Sequence, residues 1–186
     1  MANPRIIAGT ARGIRLNAVP GDTTRPITDR VKESLFGILN GDVPDSTWFD
    51  LFSGTGSVGL EAMSRGAHFA RLNDLSHVAI ATIRSNMEKT RLQKNIEVTS
   101  RDALEILRGK PDRAYDYLYV APPQYKELWF NTLTRIDSNP AWLVEDGWII
   151  VQIDPIEFVE VELRNFTLLD KRQYGSTLLL FYERNA

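Results

Sequence analysis

Apolar residues recur at helical spacing from Thr28 to about Leu39, where Val31, Leu35, Ile38 and Leu39 share one face and Thr28 can cap the first turn. Beyond that helix the pattern changes to short apolar runs separated by longer amphipathic stretches. The runs at residues 47–51, 69–72, 96–100, 115–120 and 148–153 predict strands. The stretches at 58–65, 77–91, 103–107 and 128–136 predict helices between them. Strand–helix alternation of this kind implies right-handed crossovers and a mostly parallel sheet with helices on both faces. Both ends of the chain read differently. Arg5-Ile6-Ile7-Ala8 and Ile14-Arg15-Leu16 flank Gly9 and Gly13 and predict a small hairpin, followed by a loop from Pro20 to Pro26. Residues 167–172 and 178–182, around Gly175, predict a closing hairpin.

Composition narrows the classes. A chain of 186 residues with 43% hydrophobic content fits one domain with a real core, and residues 1–40 read as a hairpin-and-helix extension of the domain formed by residues 41–186. No apolar run reaches the roughly 18 residues of a membrane span, and residues 1–15 lack a signal-peptide core. The absence of cysteine excludes disulfides and thiolate metal sites and fits the cytoplasm. Two histidines, His68 and His77, are too few for a metal centre, and His77 reads as a helix-start residue. Nothing in the pattern demands more than a monomer. The net charge of −2 is unevenly spread: residues 1–34 carry +3 and the remainder −5. A basic arm bearing Arg5, Arg12 and Arg15 on an acidic body can contact phosphates while the body handles chemistry.

The richest segment runs from Phe49 to Glu61. An apolar strand ends in Asp50, a turn holds Gly54 and Gly56, and a helix opens at about Val58. That layout holds a nucleoside-bearing cofactor at the carboxyl edge of a parallel sheet. With Gly59, the glycines also fit the dinucleotide pattern. Asp50, however, stands ahead of them, where a carboxylate repels a pyrophosphate and can hold the positively charged amino-acid end of S-adenosylmethionine. Two further acids follow the next strands: Asp74, placed for ribose hydroxyls with Asn73 and Ser76 beside it, and Asp102, placed for the adenine amine with the Ala103 N–H as donor to the ring. Each also reads as a helix cap. After the fourth strand comes Ala121-Pro122-Pro123-Gln124-Tyr125. Three strand-end acids followed by Pro-Pro favour the sulfonium cofactor over a dinucleotide.

Together with Arg5-Ile6-Ile7-Ala8-Gly9, Arg12-Gly13 and the run from Thr24 through Arg25, Pro26, Thr28, Asp29 and Arg30 to Phe36, these motifs make the chain resemble class I S-adenosylmethionine-dependent methyltransferases. More narrowly it resembles the RsmD-type family, which methylates the exocyclic N2 amine of a guanine in small-subunit (16S) ribosomal RNA. The resemblance covers nearly the whole chain. It implies a Rossmann-like, doubly wound α/β fold and a cofactor region containing Asp50, Ser53, Gly54, Thr55, Gly56 and Glu61. It also implies Asp74 at the ribose, Asp102 and Ala103 at the adenine, and Arg25 and Thr28 near cofactor and substrate. The partner it implies is ribosomal RNA or an assembling small subunit.

One departure stands out. The family's Asp- or Asn-Pro-Pro-aromatic motif is here Ala121-Pro122-Pro123-Gln124, with Tyr125 one place later. The usual side chain accepts a hydrogen from the target amine, and Ala121 cannot. Main-chain carbonyls of Ala121 or Pro122, the Gln124 amide and the Tyr125 ring are the available substitutes, alongside positioning alone. Two other functions stay open at this point: amino methylation of adenine in DNA, where similar Pro-Pro motifs occur, and a cofactor- and RNA-binding protein whose catalysis has decayed.

Overall fold

Seven strands form one sheet in the order β3-β2-β1-β4-β5-β7-β6. The protein was described through a computed structural model covering residues 3–21, 26–124 and 127–185. Strands β1 (Thr47–Asp50), β2 (Phe69–Asn73), β3 (Ile96–Thr99), β4 (Tyr115–Val120) and β5 (Leu143–Ile153) run parallel. Strand β7 (Thr177–Arg184) is antiparallel to β5, and β6 (Phe166–Tyr174) is antiparallel to β7 at the edge. Helices α1 (Asp29–Leu39), α2 (Ser57–Ser64), α3 (His77–Thr90), α4 (Ala103–Arg108) and α5 (Leu128–Ser138) complete the α/β architecture.

The central strands are apolar on both sides because both faces are covered. Side chains alternate across the sheet, so neighbours in sequence join different cores. Trp48, Tyr117 and Tyr119 pack with α1, α2, α3 and the N-terminal arm. Phe49, Leu118 and Val120 point the other way and pack with α4 and α5 through Ile106, Leu107, Trp129, Leu133 and Ile136.

The predicted elements are all present, with shifted edges. Strand β5 begins five residues before the predicted start, at Leu143 rather than Trp148. Glu145-Asp146-Gly147 falls inside the strand, where a register irregularity between Tyr115 and Tyr117 of the paired strand absorbs it. Helix α1 starts as expected, with Thr28 Oγ1 accepting from the Val31 N–H at 3.3 Å. Its buried face is wider than the apolar pattern shows, since Lys32 and Phe36 are buried with Val31, Leu35 and Leu39. The predicted N-terminal hairpin is narrow, with a single antiparallel bridge between Arg5 and Arg15. It is held by the Ile6 N–H to Ile14 carbonyl and Leu16 N–H to Pro4 carbonyl bonds, at 2.9 and 2.7 Å.

That arm is fastened to α2 by one carboxylate. Glu61 is fully buried. Its oxygens accept from the main-chain N–H groups of Ile7 and Ala8 at 2.8 and 3.0 Å and from Arg65 Nε at 2.8 Å. Lys32 Nζ lies 3.4 Å away, equally buried, and donates to Ser57 Oγ at 2.8 Å and the Arg5 carbonyl at 2.5 Å. Burial lowers the Lys32 pKa, and the Glu61 charge opposes that shift. Next to the clamp, Ser64 Oγ accepts from the Ala11 N–H at 2.9 Å and donates to the Ala8 carbonyl at 2.6 Å. The arm comes so close here that a Cβ on Gly9 would sit 1.7 Å from the Ser64 carbonyl oxygen, which only glycine tolerates.

Removing Glu61 therefore leaves Lys32 buried without its counter-charge and two part-buried N–H groups without their acceptor. Glu61→Ala is expected to cost about 3–5 kcal/mol in urea unfolding, the range for breaking a buried ion pair from one side. A loss below about 1 kcal/mol, the value of an exposed pair, would contradict the clamp.

Candidate active site

The chain leaves β1 toward α2 on one face of the sheet and leaves β4 toward α5 on the other. Adjacent strands whose connections part in this way open a crevice at their carboxyl ends, where ligands bind in doubly wound sheets. Residues 51–56 follow β1 and Ala121 to Gln124 follow β4 at this end of the sheet.

Asp50 ends β1 at the floor of this crevice and is 1% exposed. Its Oδ1 has no hydrogen-bond partner. Burial pushes its carboxyl up to about 8, the nearby charge of Asp74 adds to the rise, and a hydrogen bond from the Phe52 backbone opposes it. Near neutral pH this side chain is therefore largely protonated. Across the strand pair, Tyr119 stands level with Asp50, and its hydroxyl donates to Gln152 Oε1 at 2.5 Å.

The glycine turn is fixed from three sides. Ser53 N–H donates to the Asn73 carbonyl at 2.8 Å, and its hydroxyl donates to the Asp50 carbonyl at 3.0 Å. Gly54 N–H donates to Asp74 Oδ2 at 2.9 Å. Asn86, fully buried on α3, donates to the Thr55 carbonyl at 2.9 Å. Gly54 adopts φ +53°, a conformation suited to glycine, and no heavy atom lies within 4 Å of where its Cβ would stand. The turn thus presents open space beside an unpartnered buried carboxyl. Gly56 caps α2 in the left-handed conformation, and Gly59 lets α2 sit on Leu72 of β2.

The strand-end acids have structural bonds of their own. Asp74 spans Gly54 and Ser76, accepting from the Ser76 N–H at 2.9 Å through Oδ1. Asp102 caps α4, with Oδ1 accepting from Leu104 and Glu105 N–H groups at 2.8 and 3.1 Å. Its Oδ2 has no such bond among the described residues. Ala103 is the first residue of α4, so its N–H has no partner within the helix.

Several expectations change. The Glu61 carboxylate, expected in the cofactor region, is engaged by the arm, Lys32 and Arg65. Asn73 does not assist a ribose. Its amide is spent on the Leu51 and Arg101 carbonyls, the Thr99 hydroxyl and the Arg101 N–H, which ties together the ends of β1, β2 and β3. Ser76 caps α3 by accepting from Ala79 N–H at 3.3 Å. Arg5 pairs with Asp29 at 2.6 Å, so its guanidinium is partly committed within the protein. Arg25 and Tyr125 lie outside the described residues.

Asn86 was missed entirely. Besides Thr55 it holds the arm, accepting from the Asn17 N–H at 2.7 Å and donating to the Asn17 carbonyl at 3.1 Å. Asparagine in a helix reads as an ordinary polar position, and no local pattern marks it.

The raised carboxyl has a stability consequence. An unfolded aspartate titrates near 3.9, and Asp50 in the fold near 8. Between these values the folded state holds the extra proton, so its stability falls as pH rises, by at most about 1.4 kcal/mol per unit. The stability difference between the protein and Asp50→Asn is expected to shift against the unaltered protein from about pH 4 to 8. A difference independent of pH would refute the buried, unpaired carboxyl.

Known proteins match this arrangement over nearly its whole length. The family described as Conserved hypothetical protein 95 matches residues 4–183. "Putative rRNA methyltransferase YlbH" of Bacillus subtilis is 32% identical over 98% of this chain and 100% of its own. Ribosomal RNA small subunit methyltransferase D of Escherichia coli K12 is 30% identical over 98% of this chain and 90% of its own. The solved structure of "Putative methyltransferase yhhF" from Escherichia coli superposes with a TM-score of 0.87 at 29% identity, covering 99% of both chains. On this evidence the chain belongs to the Conserved hypothetical protein 95 family, the RsmD-type family of class I methyltransferases.

Proposed function

We propose that this protein is an S-adenosylmethionine-dependent methyltransferase acting on the exocyclic N2 amine of a guanine in small-subunit ribosomal RNA. The observation that carries the reading is Asp50: a buried carboxyl with one oxygen, Oδ1, left without a partner, near the open Gly54 turn, in a chain of this family. S-adenosylmethionine supplies a methyl group on a positively charged sulfur that leaves as a neutral thioether.

The residues divide the binding. Asp50 takes the cofactor's ammonium and gives up its proton as it does so. Ser53, Gly54, Thr55 and Gly56 form the wall against which the amino-acid end lies. Asp74 accepts from ribose hydroxyls with the lone pairs left over from Gly54 and Ser76, and Asp102 Oδ2 with the Ala103 N–H reads the adenine edge. We assign Arg25 and Thr28 to the rim between cofactor and RNA.

Transfer is a single in-line displacement. The amine lone pair forms the new bond to carbon, the carbon–sulfur bond breaks with its electrons going to sulfur, and an amine proton leaves to solvent. A guanine amine is a weak nucleophile because its lone pair is delocalised into the ring. The main-chain carbonyls of Ala121 and Pro122 accept its hydrogens in place of the missing side chain, and Gln124 offers a second acceptor. Tyr125 provides a stacking surface for the unstacked base. Holding amine and methyl in line is the larger part of the catalysis, and it needs no strong base. Arg12 and Arg15 contact RNA phosphates, and the protein works as a monomer in the cytoplasm, where its substrate is assembled.

The direct test is incubation with labelled S-adenosylmethionine and small subunits from cells lacking the enzyme, then digestion of the RNA to nucleosides. Label in N2-methylguanosine is expected. Label on duplex DNA alone would replace the ribosomal reading with DNA adenine methylation. No transfer with cofactor binding intact would indicate a binding protein whose catalysis has decayed with Ala121. A second outcome concerns the arm. Arg12→Gln with Arg15→Gln should weaken RNA binding and lower the salt slope by about one per lost phosphate contact, leaving cofactor affinity unchanged. A change confined to cofactor affinity would rule the arm out as an RNA contact.

A further inference from the structure

A groove of about 510 Å³ opens between the carboxyl ends of α4 and α5, at the edge of the sheet opposite the Asp50 crevice. Its lining includes Arg108, Lys110, Arg135, Ser138 and Asn139, and none of its lining residues is acidic. In a protein of net charge −2 this is an unusual concentration of positive charge.

The acids nearby are already engaged. Glu105 pairs with Arg108. Asp112 is bound to Arg71 at 2.5 Å. Asp137 accepts from the Arg164 and Asn165 N–H groups at 3.0 and 2.8 Å. Lys110 and Arg135 are left without a carboxylate partner among the described residues. Helix dipoles account for a cation in the last turn of each helix. They do not account for a concave, acid-free surface that also holds Lys110. The groove is also preformed: Asn139 Nδ2 donates to the Leu107 and Gly109 carbonyls at 3.0 and 2.9 Å, pinning the loop before Lys110 to the end of α5. Those bonds cover carbonyls that would otherwise disfavour an anion.

We infer that this groove is a second RNA contact, in which Lys110 and Arg135 hold a backbone phosphate of the ribosomal RNA away from the target base. The inference rests on the proposed RNA substrate. Strand β4 separates the groove from Ala121, and its six residues span about 17 Å. The groove also lies on the α4–α5 face, whereas the basic arm packs on the α2 face. RNA engaging both is gripped from two sides of the sheet. An ammonium and a guanidinium, one a compact charge and the other a planar fork, suit a phosphodiester.

The test compares the unaltered protein with Lys110→Gln/Arg135→Gln in binding a small-subunit ribosomal RNA transcript between 50 and 200 mM salt. Loss of this phosphate contact predicts a Kd raised about ten-fold and a salt slope lowered by about one, with cofactor affinity and melting temperature unchanged. Equal Kd and slope, with the unaltered protein still binding and methylating RNA, would overturn the groove and leave the proposed function standing. Failure of the unaltered protein to bind RNA at all would overturn both. Weakened binding to intact subunits but not to the naked transcript would assign the groove to an acidic protein partner and overturn the phosphate contact.

Discussion

A carboxyl group buried at the end of β1 is the constraint around which this molecule is arranged. Asp50 is drawn out of water where β1 and β4 part, and one of its oxygens has no protein partner. Such a group is costly to keep charged. The fold tolerates it by letting the carboxyl hold its proton near neutral pH. The surrounding bonds keep that crevice in shape: Asn73 joins three strand ends, Asp74 takes the Gly54 N–H, and Asn86 takes the Thr55 carbonyl. Functional unsaturation at one residue is thus framed by full saturation at its neighbours.

The same economy links the N-terminal arm to the site. Glu61 and Ser64 on α2 bind the arm, Lys32 bridges the arm to the first residue of α2, and Asn86 grips both Asn17 and Thr55. The helix that begins at the glycine turn is therefore also the platform for the segment carrying Arg12 and Arg15. Cofactor wall and arm are built on shared residues, so the arm's position relative to the crevice is set by buried bonds.

Much of this was legible in the chain because periodicity and turn chemistry are local signals. The strand–helix alternation, the Thr28 cap and the Gly54–Gly56 turn all follow from nearest neighbours. Asp50 was legible too, since an acid at a strand end before glycines has few structural reasons to be there. What the sequence hid depends on distant partners. Glu61 looked like part of the cofactor loop because it follows the glycines, yet its helical position turns it toward an arm more than 50 residues earlier. Lys32 looked solvated and is buried, because its charge is matched by that same Glu61. Asn73 and Asn86 are polar residues whose roles exist only after folding. The early start of β5 was hidden by Glu145-Asp146-Gly147, whose place in the strand depends on its pairing with β4.

Ala121 shows how far a motif can be stripped while its surroundings persist, and positioning then has to do the work a side chain acceptor does elsewhere. In the proposed mechanism all positioning begins with the cofactor held at Asp50. The most direct measurement is calorimetric titration of S-adenosylmethionine into the protein at pH 7 in buffers of different ionisation heat, beside Asp50→Asn. With a carboxyl near 8 losing its proton to the buffer as the ammonium takes its place, close to one proton should be released per cofactor bound, and none by the variant. Binding with no proton release in the unaltered protein would contradict the account.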